Sequence, residues 1–145
     1  MNQPINTAFS FEGYKISHFS FDVPDNNEES VDIDFKPSGL FVKSDNRYML
    51  QFDFNATYKT ETGEIKNMLT ATIHATFKFK ETIEFEKIPD YFYTNSIAIV
   101  FPYLRAFVST LTVLGNINLL LLPLLNLSHL KEPLKENTIV MDDVK

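Results

Sequence analysis

The chain has 145 residues, a formal net charge of −6, 14 phenylalanines, no tryptophan and no cysteine. That length suits one domain with a core of its own. The lack of cysteine excludes disulfides, thiolate metal sites and cysteine nucleophiles and is compatible with a reducing compartment, while an acidic balance with no local basic patch argues against nucleic acid and anionic membranes as partners.

Residues 1–8 read as a loose end, with no basic or apolar signal region. Phe9 to Val23 reads as a first strand. Its apolar residues change face between Ile16 and Phe19, which predicts a bulge or a strand covered on both sides, and Pro24 closes it. Asp25–Ser30 is a polar loop. Val31, Ile33 and Phe35 alternate with Asp32, Asp34 and Lys36 in a short strand, interrupted at Pro37–Gly39 and resumed over Leu40–Lys43. Tyr48 to Tyr58 then alternates apolar and polar residues without a break. After the turn Thr60–Gly63, Ile65 to Phe79 does the same with a threonine-rich polar face. Two long strands joined by a short turn predict an antiparallel hairpin.

Phe85 to Tyr93 is a connector containing Pro89. Asn95 or Ser96 is a candidate cap for a long helix. Within it Phe101, Leu104, Phe107, Val108, Leu111 and Leu114 recur at helical spacing. Pro102 falls in the first turn or at a kink. Gly115 suits a left-handed stop. The run Asn116–Leu127 is too apolar for an ordinary loop. Pro133 limits any second helix to about one turn before it, and residues 135–145 read as a mobile, charged tail. The expectation is an α+β domain, an antiparallel sheet covered on one face by a helix.

A membrane span over residues 97–127 meets the ~20-residue requirement. Arg105, Gly115, Asn116, Asn118, Pro102 and Pro123 interrupt it, and an arginine at a span's centre costs about 2.5–3.5 kcal/mol; no insertion is expected. Little points to catalysis. His18, His74 and His129 lack metal-ligand spacing. The acids Asp22, Asp25, Glu28, Glu29, Asp32 and Asp34 lack the glycine and ligand order of a calcium loop. There is no phosphate-binding glycine loop, and Ser96, Ser109 and Ser128 have no nucleophile-elbow context. No enzyme activity, metal or cofactor is expected. What remains is surplus apolar surface, which must be covered by the chain itself, by a copy of it, or by something it holds.

Three features resemble the SecB family of export chaperones. Phe19-Ser-Phe-Asp-Val-Pro24 is similar to the family's first-strand ending. The hairpin around Thr60–Gly63 lies where the family has its third and fourth strands. Ile99-Val-Phe-Pro-Tyr-Leu-Arg105, followed by Ser109, Leu111 and Gly115, is similar to the family's LFPYAR-type helix start, and Leu121–Leu127 to the connection that follows. The resemblance covers roughly residues 11–130. It implies a four-stranded antiparallel sheet with helices on one face, a dimer of dimers, and ATP-independent holding of unfolded polypeptides in the cytoplasm. It places a client groove on Leu40, Phe41 and Val42 and on Leu119, Leu120, Leu121, Leu122, Leu124, Leu125 and Leu127.

The helix carries apolar residues around much of its circumference, more than one sheet covers. Phe101, Tyr103, Leu104, Phe107, Val108 and Leu111 are therefore expected at an oligomer interface. Asp22 matches one of the family's acidic contacts to a translocase motor. His18 and Ala71 stand where two others would be, and the family's motor-binding tail has no counterpart in Asn137–Lys145. An unstable antitoxin is thus an alternative partner to the export motor. Two readings from other classes stay open: an adaptor whose apolar surface is used up in self-assembly, and a carrier with a small ligand between helix and sheet.

Overall fold

The computed structural model describes residues 8–24, 31–115 and 127–142. Among the described residues, five strands form one sheet: β1 (Phe9–Phe21), β2 (Val31–Val42), β3 (Arg47–Lys59), β4 (Ile65–Phe79) and β5 (Thr138–Met141), in the order β1-β4-β3-β2-β5. The first four are antiparallel, and β5 joins β2 in parallel. The expected four-stranded antiparallel sheet is thus a mixed sheet of five, the extra strand coming from the tail expected to be mobile. Thr138-Ile-Val-Met141 is short, but its β-branched residues suit a strand.

The sheet's two faces follow from strand alternation. Tyr48, Leu50, Phe52, Phe54 and Ala56 of β3 and Ala71, Ile73, Ala75, Phe77 and Phe79 of β4 are buried on one face. Gln51, Asp53, Asn55, Thr72, His74 and Thr76 are half-exposed on the other. Strand β1 keeps its apolar residues on the covered face by breaking register twice, between Phe11 and Gly13 and between Ile16 and His18. Each break adds one residue, so Phe9 and Phe11, then Tyr14 and Ile16, then Phe19 and Phe21 all pair opposite the buried set of β4. The break at Ile16 follows the expected change of face. The first break rests on Gly13, whose φ of +118° a side chain rarely allows.

Helix α1 (Asp90–Leu114) lies on the covered face. It begins at Pro89, not at Asn95 or Ser96. Ser96 is instead buried inside the helix, donating to the Tyr93 carbonyl at 3.0 Å. Pro102 accordingly falls in the helix interior rather than its first turn, and it is exposed there. Gly115 caps the helix in a right-handed conformation, φ −74°, so the expected left-handed stop does not form. Glycine is required there for space, since a Cβ would lie 2.6 Å from the Phe21 ring.

Phe92 anchors the contact between helix and sheet. It is fully buried, and the rings of Phe9, Tyr48, Phe77, Phe79 and Tyr93 stand 4.9 to 5.7 Å from it, mostly edge-on. A 3₁₀ turn at Leu127–Leu130 runs into α2 (Lys131–Glu136). Pro133 does not end this helix as expected. It is the third residue of α2, where the backbone N–H has no helical partner to lose. Leu130 and Leu134 are buried in the core, and Lys131 and Lys135 reach Asp90 at 3.7 and 3.2 Å, tying α2 to the start of α1.

Candidate functional site

Gly39, Tyr48 and Thr138 fix the start of β5 against the sheet. Gly39 of β2 pairs with Thr138, and its N–H donates to the Asn137 carbonyl at 3.1 Å. The Tyr48 side chain crosses directly over Gly39, where a Cβ would strike its ring and hydroxyl. Tyr48 Oη and Thr138 Oγ1 are 2.6 Å apart, and Thr138 Oγ1 is 2.7 Å from the Leu134 carbonyl. The carbonyl can only accept, so Thr138 donates its one proton there and Tyr48 donates to Thr138. Burial pushes the Tyr48 phenol well above its ordinary pKa. Pro37 lies two residues before Gly39, so its missing N–H is on the same outward side, before β5 begins. That explains how β2 runs unbroken through a segment expected to interrupt it.

The expected groove residues of β2 do not act together. Phe41 is fully buried beside Phe79 and Phe85, with centroids 6.0 and 6.4 Å away. Val42 is 1% exposed on the opposite face, between Arg47 and Met141. Both are covered within the chain, as an aromatic and a β-branched residue inside a sheet are disposed to be. Leu40 alone is half-exposed, in a row with Met49 of β3 and Ile139 of β5. Ile139 is 67% exposed. Beside the start of β5, Phe35, Pro37, Leu130, Pro133 and Ile139 line an open cleft of about 580 Å³ together with Asp53 and Glu136. Leu119, Leu120, Leu121, Leu122, Leu124 and Leu125 lie outside the described residues, and Leu127 is half-buried against the core.

The helix residues divide by side. Phe101, Leu104 and Val108 are buried against the sheet and have no surface left for a second copy. Phe107 and Leu111 are half-buried, and Tyr103 is 40% exposed. Tyr103 continues into an aromatic strip shared with β1. Its ring stacks on Tyr14 at 4.3 Å and Phe11 at 5.9 Å, and Phe107 meets Phe19 edge-on at 5.2 Å. Phe19 is half-exposed, and Val113 and Leu114 extend the apolar surface to the helix end. The sequence reading missed Tyr14 and Phe19 as surface residues. A second change of parity, between Phe11 and Tyr14, joins the one after Ile16 as the signal that could have placed them beside α1.

Asp22 is exposed just past β1, its N–H donating to the Met68 carbonyl at 2.8 Å. Arg105 keeps a buried Nε without a hydrogen-bond partner among the described residues. Among those residues no three histidine, aspartate or glutamate side chains converge to hold a metal. Helix α1 is long and apolar enough to cross a membrane by length and composition, with 33% of its most apolar stretch buried.

No family model matches the chain. An uncharacterised protein of Methanocaldococcus jannaschii is 28% identical, over 95% of this chain and 94% of its own length. Among solved structures the fold is similar to that of the SecB-like chaperone Rv1957 of Mycobacterium tuberculosis, determined in complex with a ChAD peptide from the HigA1 antitoxin. The TM-score is 0.65 at 16% identity, covering 81% of this chain and 90% of that one.

Proposed function

We propose that the chain is a SecB-like, ATP-independent chaperone that holds unfolded polypeptides in the cytoplasm and has no enzymatic activity. The observation that carries this reading is the fold's likeness to a chaperone solved with a bound antitoxin peptide. The exposed aromatic strip of Tyr14, Phe19 and Tyr103, backed by the half-buried Phe107, supports it, because such surface suits many weak apolar contacts. A client of the antitoxin kind fits better than an export motor, since Asp22 alone of the motor-facing acids is matched. The client groove assigned to Leu119–Leu127 and the assembly as a dimer of dimers belong to the same proposal.

The test is suppression of aggregation of a chemically denatured client, with and without ATP. Suppression at stoichiometric ratios, unchanged by ATP, is expected. No suppression overturns the reading and favours the adaptor, whose support is the same exposed side of α1, Tyr103, Val113 and Leu114, consumed in self-assembly. For the groove, Leu121→Ser combined with Leu125→Ser is expected to weaken client binding at an unchanged Tm. A loss of several kcal/mol of stability, the cost of altering buried leucines at ~2–5 kcal/mol each, would place these residues in the core instead.

A further inference from the structure

Strand β2 is twelve residues long, and β5 pairs with only its last four, Gly39–Val42. On that side of Val31–Ser38, no strand among the described residues pairs with β2. Residues two apart in a strand direct their backbone groups the same way, and Gly39 directs its N–H toward β5. Val31, Ile33 and Phe35 therefore present outward donors and acceptors, and Pro37 its carbonyl alone, in line with the ladder that β5 already uses. The opposite edge of the sheet, β1, is broken by two bulges, which blunt an edge against strand addition.

Strand β5 is lightly held. Its anchor is Thr138, clasped between Tyr48 and Leu134. Beyond that, Ile139 is 67% and Val140 is 40% exposed, so the ladder rather than side-chain burial keeps the strand in place. At its entry the cleft beside Phe35, Pro37, Leu130 and Pro133 can take an apolar side chain of an added strand.

From this arrangement we infer that the β2 edge docks an extended polypeptide by strand addition, and that Thr138–Met141 is an intramolecular competitor that the client displaces. Main-chain recognition suits the occupant, because an edge ladder accepts any extended backbone while pockets select only alternate side chains. The inference rests on the chaperone reading and adds where the client lies and what it must remove. The fraction of molecules with β5 released then scales the apparent client affinity.

The chain's lack of cysteine allows a direct test. Leu40 and Ile139 are paired neighbours on one face, and adjacent strands lie at a separation that a disulfide can span. Full-length protein carrying Leu40→Cys and Ile139→Cys is compared oxidised and reduced, with fluorescent, reduced and carboxymethylated α-lactalbumin as the unfolded probe. A second full-length variant, Ile139→Pro, removes an exposed side chain and the N–H aimed at β2, freeing the strand without touching the core. Oxidation is expected to weaken binding ~10-fold or more, reduction to restore it, and Ile139→Pro to tighten it several-fold, as the competing state is removed. Equal affinity in all forms, with aggregation suppression intact, overturns the displacement of β5 by the client and leaves the chaperone reading standing. Absence of probe binding in every form, wild type included, overturns both. A disulfide-linked dimer on oxidation shows β5 exchanged between two copies and overturns the client assignment.

Discussion

Gly39 is the residue on which the sheet's fifth strand depends. Its missing side chain lets Tyr48 lie across β2 and reach Thr138. Gly39→Ala is expected to push the Tyr48 ring aside at the ~1–3 kcal/mol typical of overpacking, lowering Tm and detaching β5; an unchanged Tm would show that the ring moves freely. Tyr93 carries a different liability. Its hydroxyl is buried without a hydrogen-bond partner among the described residues, and burial, with Asp90 nearby, pushes its pKa up to about 12 from an ordinary 10.0. A raised phenol favours the neutral form in the fold, so its contribution is complete below the unfolded value and is lost as pH rises from 10.0 toward 12. Alkaline unfolding is therefore expected to set in above that lower value and to be milder in Tyr93→Phe, which never ionises. Identical alkaline transitions in both proteins would remove Tyr93 as a cause.

At the scale of elements, α1 has two sides with different tasks. Phe101 is 5% exposed and touches Phe35 edge-on at 5.9 Å, whereas Tyr103, two residues on, is 40% exposed. Phe101→Ala is expected to cost ~3–5 kcal/mol, the range for a truncated core aromatic, and to leave the assembly state alone. Tyr103→Glu is expected to leave most of the fold's stability in place and to shift light scattering toward a smaller species. If Tyr103→Glu scatters like the wild type, the helix's outer side is not the contact between copies. Pro102 stands between these two residues on the exposed side, where its ring avoids the sheet.

Across the whole molecule, stability is concentrated at the centre of the sheet. β3 and β4 pair over their full lengths and carry most of the fully buried side chains, while β5 is short and exposed at the end of the ladder. Hydrogen exchange reports such differences as local opening energies. The slowest amides are expected in Leu50–Phe54 and Ala71–Phe77, and the fastest strand amides in Ile139–Met141. Protection of β5 equal to that of β3 would mean that the tail strand is part of the cooperative core and cannot yield to a client.

The hairpin of β3 and β4, the apolar stripe of α1 and the bulge after Ile16 were legible in the sequence because each is a local periodicity that burial on one face imposes. The true start of α1 was hidden. Asn95 and Ser96 are good caps in isolation, but burial of Phe92 and Tyr93 among the sheet's aromatic rings draws the helix back to Pro89. The assignment of Phe41 and Val42 to a groove failed because alternation predicts two faces and not how thoroughly each is covered. Strand β5 had no local signal strong enough to stand alone. Four residues at the end of a charged tail become a strand only because β2 offers an edge, Gly39 leaves room for Tyr48, and Tyr48 has a hydroxyl to give Thr138. Side-chain periodicity therefore determined which residues face the core, while strand neighbours, the helix start and the open edge were decided by packing between segments far apart in the chain.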